Sequence, residues 1–347
     1  PDKQLIEWIN WIDVHKKKYK KLTDSFDNFA FESNRALYSQ RKIKLAVKRI
    51  IEFTKFKPKS KYAIPSATLA LDTYIKSKDW ENTHKVSRAF MKFKNWKKNP
   101  FSKKLFTIAA DAHFKMVEIN FKEKKYDSTL DKVDEFKKLY SKSNRLEDVI
   151  FIASRAALSS QKTDIGRKYL SELIKRFPNS ANTGAALLTR SELNEKKYEF
   201  VDASQDIEFY LELDKKKSAQ VSQSKKNMLK RKALMLAWLS PQKEQLKSLL
   251  NKKGFCGSSL EIECDRYQGI IAIGAKKFDT KTAFKKATSG HKENRPIWAA
   301  VALQDQKDYA FPDRMLLVRV VSGRWNRLDS YIKMSLLPEL GKSLPKA

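Results

Sequence analysis

The chain is poor in residues that make turns. Among 347 residues there are 9 glycines and 10 prolines, and the Asn-Gly or Gly-Gly pairs that close β-hairpins are few. That disfavours a sheet protein with many reversals, and the abundance of Lys, Leu, Ala and Glu points to helices with almost no strand. Long apolar runs are also missing. None approaches the ~18 to 20 residues of a membrane-spanning helix, and no apolar N-terminal stretch precedes a small-residue cleavage site. A first residue of Pro1 rather than Met is what a processed or truncated product would show.

Cysteine occurs twice, as Cys256 and Cys264 in GFCGSSLEIEC. This spacing matches neither a zinc pair nor a C-x-x-C redox motif. Two readings remain: a local disulfide beside Gly254 and Gly257 in an oxidising compartment, or two reduced, buried thiols. The four histidines, His15, His84, His113 and His291, have no paired spacing for a metal and are expected on the surface or satisfied in the core. No G-x-S-x-G occurs. Gly269 and Gly274 have the spacing of a phosphate loop, but Ala275 follows where that loop needs Lys and then Ser or Thr, and no strand precedes it. Nothing singles out an acid/base pair. The expectation is a protein that is not an enzyme, with no catalytic, metal or cofactor-binding residues.

Acidic residues are scarce relative to basic ones, 40 against 72, for a formal charge of +32. Residues 1 to 104 carry 26 Lys+Arg against 10 Asp+Glu, so half of the excess lies in the first third. Charge of this size acts on association, and it calls for anionic partners.

What the chain does contain is a recurring pair of short amphipathic helices. In Glu147 to Pro178, Ile150, Ala153, Ser154 and Ala157 fall at i, i+3, i+4 and i+7 and make a small apolar face. The second helix starts after Thr163 and Asp164. Gly166 gives it a small position, Leu170, Leu173, Ile174 and Phe177 its apolar face, and Pro178 ends it. Units of the same kind end at Pro58 and Pro100, turn at Lys78-Asp79-Trp80, at Lys125-Tyr126-Asp127 and at Lys196-Lys197-Tyr198, and become irregular beyond about residue 217. Helices are also expected over Pro312 to Val321 and Trp325 to Leu337.

With Pro178 counted as position 32, Ser154, Ala157, Gly166, Leu170 and Leu173 take positions 8, 11, 20, 24 and 27. The stretch resembles a tetratricopeptide repeat, whose period is ~34 residues. Its FPNS ending is similar to repeats of exported bacterial tetratricopeptide proteins such as outer-membrane assembly lipoproteins. The resemblance implies an all-α, right-handed superhelical solenoid of antiparallel helix pairs: an N-terminal cap over 1–32, repeats over 33–216 and irregular pairs over 217–347. It implies an extended concave groove lined mainly by the first helix of each pair, and a scaffold for proteins or peptides in the periplasm or cell envelope.

Two other functions fit the charge. One is association with an anionic cell-wall polymer, by architectural similarity to the superhelical part of soluble lytic transglycosylases. That family's catalytic Glu-Ser pair has no counterpart in the C-terminal third here, where no Glu-Ser occurs. The other is nucleic-acid binding, against which no base-reading residue recurs from unit to unit. The candidate partner-binding residues are Lys92, Lys94, Trp96, Lys97, Lys98, Lys103 and Lys104, in a stretch from 85 to 104 with eight Lys+Arg and no acid. There the Trp96 indole, placed past the regular part of a helix among lysines, is expected to stack on a ligand whose carboxylate or phosphate groups the lysines meet.

Overall fold

The structure, a computed structural model, describes residues 2–18, 24–217, 221–274, 279–303 and 311–322. The expected helix over Trp325 to Leu337 lies outside them, as do Ala275 and the lysines that follow it. The chain divides into two compact units, Pro1–Asn182 and Thr183–Ala347, at the turn between two helix pairs.

The first unit contains α1 (Asp2–Lys18), α2 (Asp24–Ser39), α3 (Ile43–Phe56), α4 (Ala63–Lys76), α5 (Trp80–Met91), α6 (Pro100–Lys122), α7 (Tyr126–Leu139), α8 (Leu146–Ser159) and α9 (Thr163–Arg176). The second contains α10 (Thr183–Lys196), α11 (Phe200–Lys217), α12 (Gln223–Leu239), α13 (Glu244–Asn251), α14 (Glu261–Gly274), α15 (Thr280–Ser289), α16 (Arg295–Leu303) and α17 (Phe311–Ser322). Among the described residues there is no strand. None of the described helices is long and apolar enough to cross a membrane.

Within the first unit consecutive helices pack on one another, and α6 also touches α8, the first helix of the following pair. The turns inside the pairs are copies of one another. Arg41, Lys78, Lys124, Gln161 and Tyr198 all adopt a left-handed backbone, with φ between 57° and 62°. The amide after each donates to the carbonyl five residues earlier: Lys42 to Leu37, Asp79 to Tyr74, Lys125 to Asn120, Lys162 to Ala157 and Glu199 to Asn194, at 2.8 to 3.0 Å. This is the Schellman ending of a helix, which satisfies carbonyls the last turn would leave orphaned. The turn positions 41, 78, 124, 161 and 198 are separated by 37, 46, 37 and 37 residues.

The turns between pairs recur too. The hydroxyls of Ser60, Ser143 and Ser180 accept from the amides two residues on, those of Tyr62, Arg145 and Asn182. The extra nine residues of the long interval go into α6, which has 23 residues where α4, α8 and α10 have 14. At 1.5 Å per residue that adds about 13 Å of helix.

The apolar faces read from the sequence are buried. Ile150, Ala153, Ser154, Ala157 and Leu173 are at most 1% exposed, and Leu71, Phe90 and Leu105 are fully buried in a core shared by α4, α5 and α6. Each fully buried Leu, Ile or Phe contributes about 1.5 to 3 kcal/mol. Gly166 is where α9 crosses α8: a Cβ there would stand 2.6 Å from Leu158 Cδ2.

In the second unit one core gathers Ala203, Ile207, Leu234, Leu246, Leu249 and Leu260. A second core surrounds α16, every residue of which from Pro296 to Leu303 is buried. Gly269, the first glycine of the loop-like spacing, lies in the middle of α14, where a Cβ would come within 2.7 Å of Ile297. It is a packing glycine.

Candidate functional site

The predicted basic patch is built where α5 gives way to α6. Asp79 caps α5 by accepting from the Asn82 amide, and Asn99 caps α6 by accepting from the Phe101 amide with Pro100 in the first turn. Between them a short 3-10 turn, Lys94–Trp96, folds the chain back. It corrects the expectation for Trp96, which is 4% exposed. Its ring meets those of Phe90, Phe93 and Phe101 edge-on, at 5.9, 5.0 and 5.4 Å between centroids. Its Nε1–H donates to the Pro58 carbonyl at 2.9 Å. The ring is buried and its one polar atom is paired, so it holds two helix pairs together and offers no stacking surface.

The lysines have a different fate. Lys92, Lys94, Lys97, Lys98, Lys103 and Lys104 are all exposed, but the structure does not gather them into one site. Lys92 lines a groove of about 880 Å³, and Lys103 lines a separate cleft of about 450 Å³ with Phe106 and Lys142. Lys94, Lys97, Lys98 and Lys104 line neither.

The larger groove lies in the first unit. Lys78, Lys85, Arg88, Lys92 and Lys132 bring five cations to it, against Asp79, Glu81 and Glu135. Asp79 is engaged in the α5 cap. Most of the wall comes from α5 and its turn, with the end of α6 and the middle of α7 completing it. This departs from a groove lined mainly by first helices, since α5 and α7 are the second helices of their pairs. The physical reason is the lengthened α6, whose last turns stand beside α5 and leave a trough between it and α7.

One wall carries a polar chain that the sequence did not announce. His113, fully buried, points Nε2 at the Lys132 carbonyl, 2.9 Å away, and so carries its ring proton there. Its Nδ1 is 3.4 Å from His84 Nε2, which lies 2.8 Å from the Tyr140 hydroxyl. Burial, then the neighbouring His113, brings the pKa of His84 down to about 4. Burial likewise lowers that of His113 and pushes the Tyr140 phenol up to about 12. At neutral pH both imidazoles are therefore uncharged and the phenol keeps its proton. The groove thus has a cationic rim with one half-buried neutral ring, His84. The signal for this pairing lay in position. His84 is on the second helix of one pair and His113 on the first helix of the next, the two surfaces that stacking brings together.

In the second unit Cys256 and Cys264 are bonded to each other, with Cα atoms 6.0 Å apart. Gly254 turns the chain ahead of the bridge with φ of 74°. The bridge borders a cleft of about 670 Å³. At its edge Asp265 accepts from Lys286, Asn294 and Trp298 at 2.8, 3.0 and 3.1 Å, and Lys286 sits 4.1 Å above the Trp298 ring. Among the described residues no group of three or more His, Cys, Asp or Glu is placed to hold a metal ion.

No protein-family model and no curated protein matches the chain. Among solved structures it is similar to the crystal structure of BtubC (BKLC) from P. vanneervenii, with 10% identity, a TM-score of 0.30, and coverage of 74% of this chain and 93% of that one. Similarity of that size passes neither fold nor function from one protein to the other.

Proposed function

We propose that the chain is a tetratricopeptide-like solenoid that acts as a non-enzymatic scaffold, holding an acidic segment of a partner protein in the groove between α5, α6 and α7. Five repeated Schellman turns and the stacking of consecutive helix pairs support the architecture. One observation carries the function. Lys78, Lys85, Arg88, Lys92 and Lys132 surround a single groove and none of them forms an ion pair with a described residue. Cations held together without partners repel one another, and an acidic ligand relieves that repulsion. The Cys256–Cys264 bridge supports an oxidising compartment such as the cell envelope.

The test is fluorescence anisotropy with a labelled acidic peptide. Wild type should bind it and not a neutral peptide of the same length, with affinity falling as salt rises through physiological strength. Replacing Arg88 and Lys132 by Glu should weaken binding by tenfold or more, on the order of 1.4 kcal/mol. Undiminished affinity in that variant would overturn the assignment of the groove.

A further inference from the structure

The lysines that the groove leaves out share another surface. The turn after α3 and the turn after α5 lie side by side, because Asn95 Nδ2 and Trp96 Nε1 both donate to the Pro58 carbonyl, at 2.7 and 2.9 Å. Residues 53–71 hold four lysines and residues 89–110 hold six, with no acid and no arginine in either stretch. Of these ten, Lys57 reaches Asp27, which is 5% exposed, at 3.8 Å. Lys55, Lys59, Lys61, Lys94, Lys97, Lys98, Lys103 and Lys104 are exposed and form no ion pair with a described residue. The flanking acids Glu52, Asp72, Glu81 and Asp111 lie outside both stretches. The result is one end of the helix pairs that bears a dense field of a single sign.

The residue types decide what such a field fits. A protein partner is normally anchored by arginine or aromatic side chains in pockets, and neither lysine-bearing stretch contains an arginine. Single-stranded nucleic acid needs a row of exposed rings for successive bases, yet Phe53, Trp96 and Phe101 are buried and Phe56 alone of these four is exposed. Lysines are flexible point charges, suited to a surface whose anions are mobile and not fixed in a pattern. One ring, Phe56, stands out at 48% exposure among Lys55, Lys57 and Lys59, where it can enter the boundary between headgroups and acyl chains.

We infer that this end of the first unit docks on an anionic lipid surface. The lysines supply a salt-sensitive attraction to the headgroups, and the buried Trp96 keeps the two lysine-bearing turns in register. The groove of α5, α6 and α7 is a different surface, so this inference stands or falls independently of it.

The test is co-sedimentation of the whole chain with vesicles of phosphatidylcholine alone or with about 30% phosphatidylglycerol at about 0.15 M salt. Wild type should sediment with the anionic vesicles, not with neutral ones, and should be released by high salt. Replacing Lys94, Lys97 and Lys98 by Glu should lower the partition coefficient at least about tenfold. Replacing Lys76, Lys122 and Lys124 by Glu changes net charge equally at the other end of the pairs and should leave it within about twofold. Circular dichroism establishes that both variants fold. Equal losses in the two variants would show that only net charge matters and would overturn the inference, as would failure of wild type to bind anionic vesicles. A Lys94, Lys97 and Lys98 variant that keeps its vesicle binding but loses binding to duplex DNA would assign the end to nucleic acid instead.

Discussion

His84 Nε2 stands 2.8 Å from the hydroxyl of Tyr140, across 56 positions of sequence, and so ties α5 to the end of α7. Burial keeps the imidazole neutral, holding its pKa at about 4 against an ordinary 6.5. A folded-state value below the unfolded one means that the unfolded chain binds more protons in that interval. The stability that depends on keeping this ring buried and neutral is therefore complete above about pH 6.5 and is lost as pH falls toward 4. Urea unfolding of wild type and of His84→Gln should show a smaller loss between pH 7 and pH 4.5 in the variant. Equal losses would mean that His84 titrates normally in the folded protein.

The five left-handed turn residues are all non-glycine. A side chain in that conformation costs on the order of 1 kcal/mol, partly offset by the extra freedom a glycine adds to the unfolded chain. Gln161→Gly should stabilise the protein by roughly 0.5 kcal/mol, and Lys124→Gly by a similar amount. A lower denaturation midpoint in both would show that the side chains at these turns make contacts worth more than the strain.

Gly166 faces Leu158 with no room for a larger side chain. Gly166→Leu should destabilise by about 1 to 3 kcal/mol through overpacking. Leu158→Ala, neutral or harmful alone, should recover part of that loss in the double variant, because the two side chains compete for one space. Strict additivity in thermal unfolding would place the strain elsewhere.

The Cys256–Cys264 bridge closes a loop of eight positions. A cross-link that short restricts the unfolded chain by about 2.5 kcal/mol. Protein made under oxidising conditions should show no free thiol after denaturation without reductant, and Cys256→Ala with Cys264→Ala should lower stability by roughly 2 kcal/mol. Two titratable thiols would remove the bridge and the support it gives to an exported protein.

Much of this was legible because helices are local objects. The stripe of Ile150, Ala153, Ser154 and Ala157, the small position at Gly166 and the pair boundaries near Pro58, Pro100 and Pro178 all follow from spacings within a few turns of chain. The exposure of the lysines from Lys92 to Lys104 was equally readable, since a charged group left without a partner stays in water. The lengthened α6 was harder to see. Its nine additional residues continue the helical pattern without a break, and only the repeated turns on either side expose the change of period.

By itself the sequence determined that the described chain is helical, that its helices come in pairs closed by short turns, and which face of each is apolar, because those properties depend on contacts at i+3 and i+4. Only the tertiary structure decided that Trp96 is a buried clasp on Pro58 and not a ligand platform, that His84, His113 and Tyr140 meet, and that the lysines divide between a groove and an open end. Those outcomes depend on how one helix pair is rotated and advanced against the next. Side chains dozens of residues apart set that rotation by fitting together, and no local period encodes it.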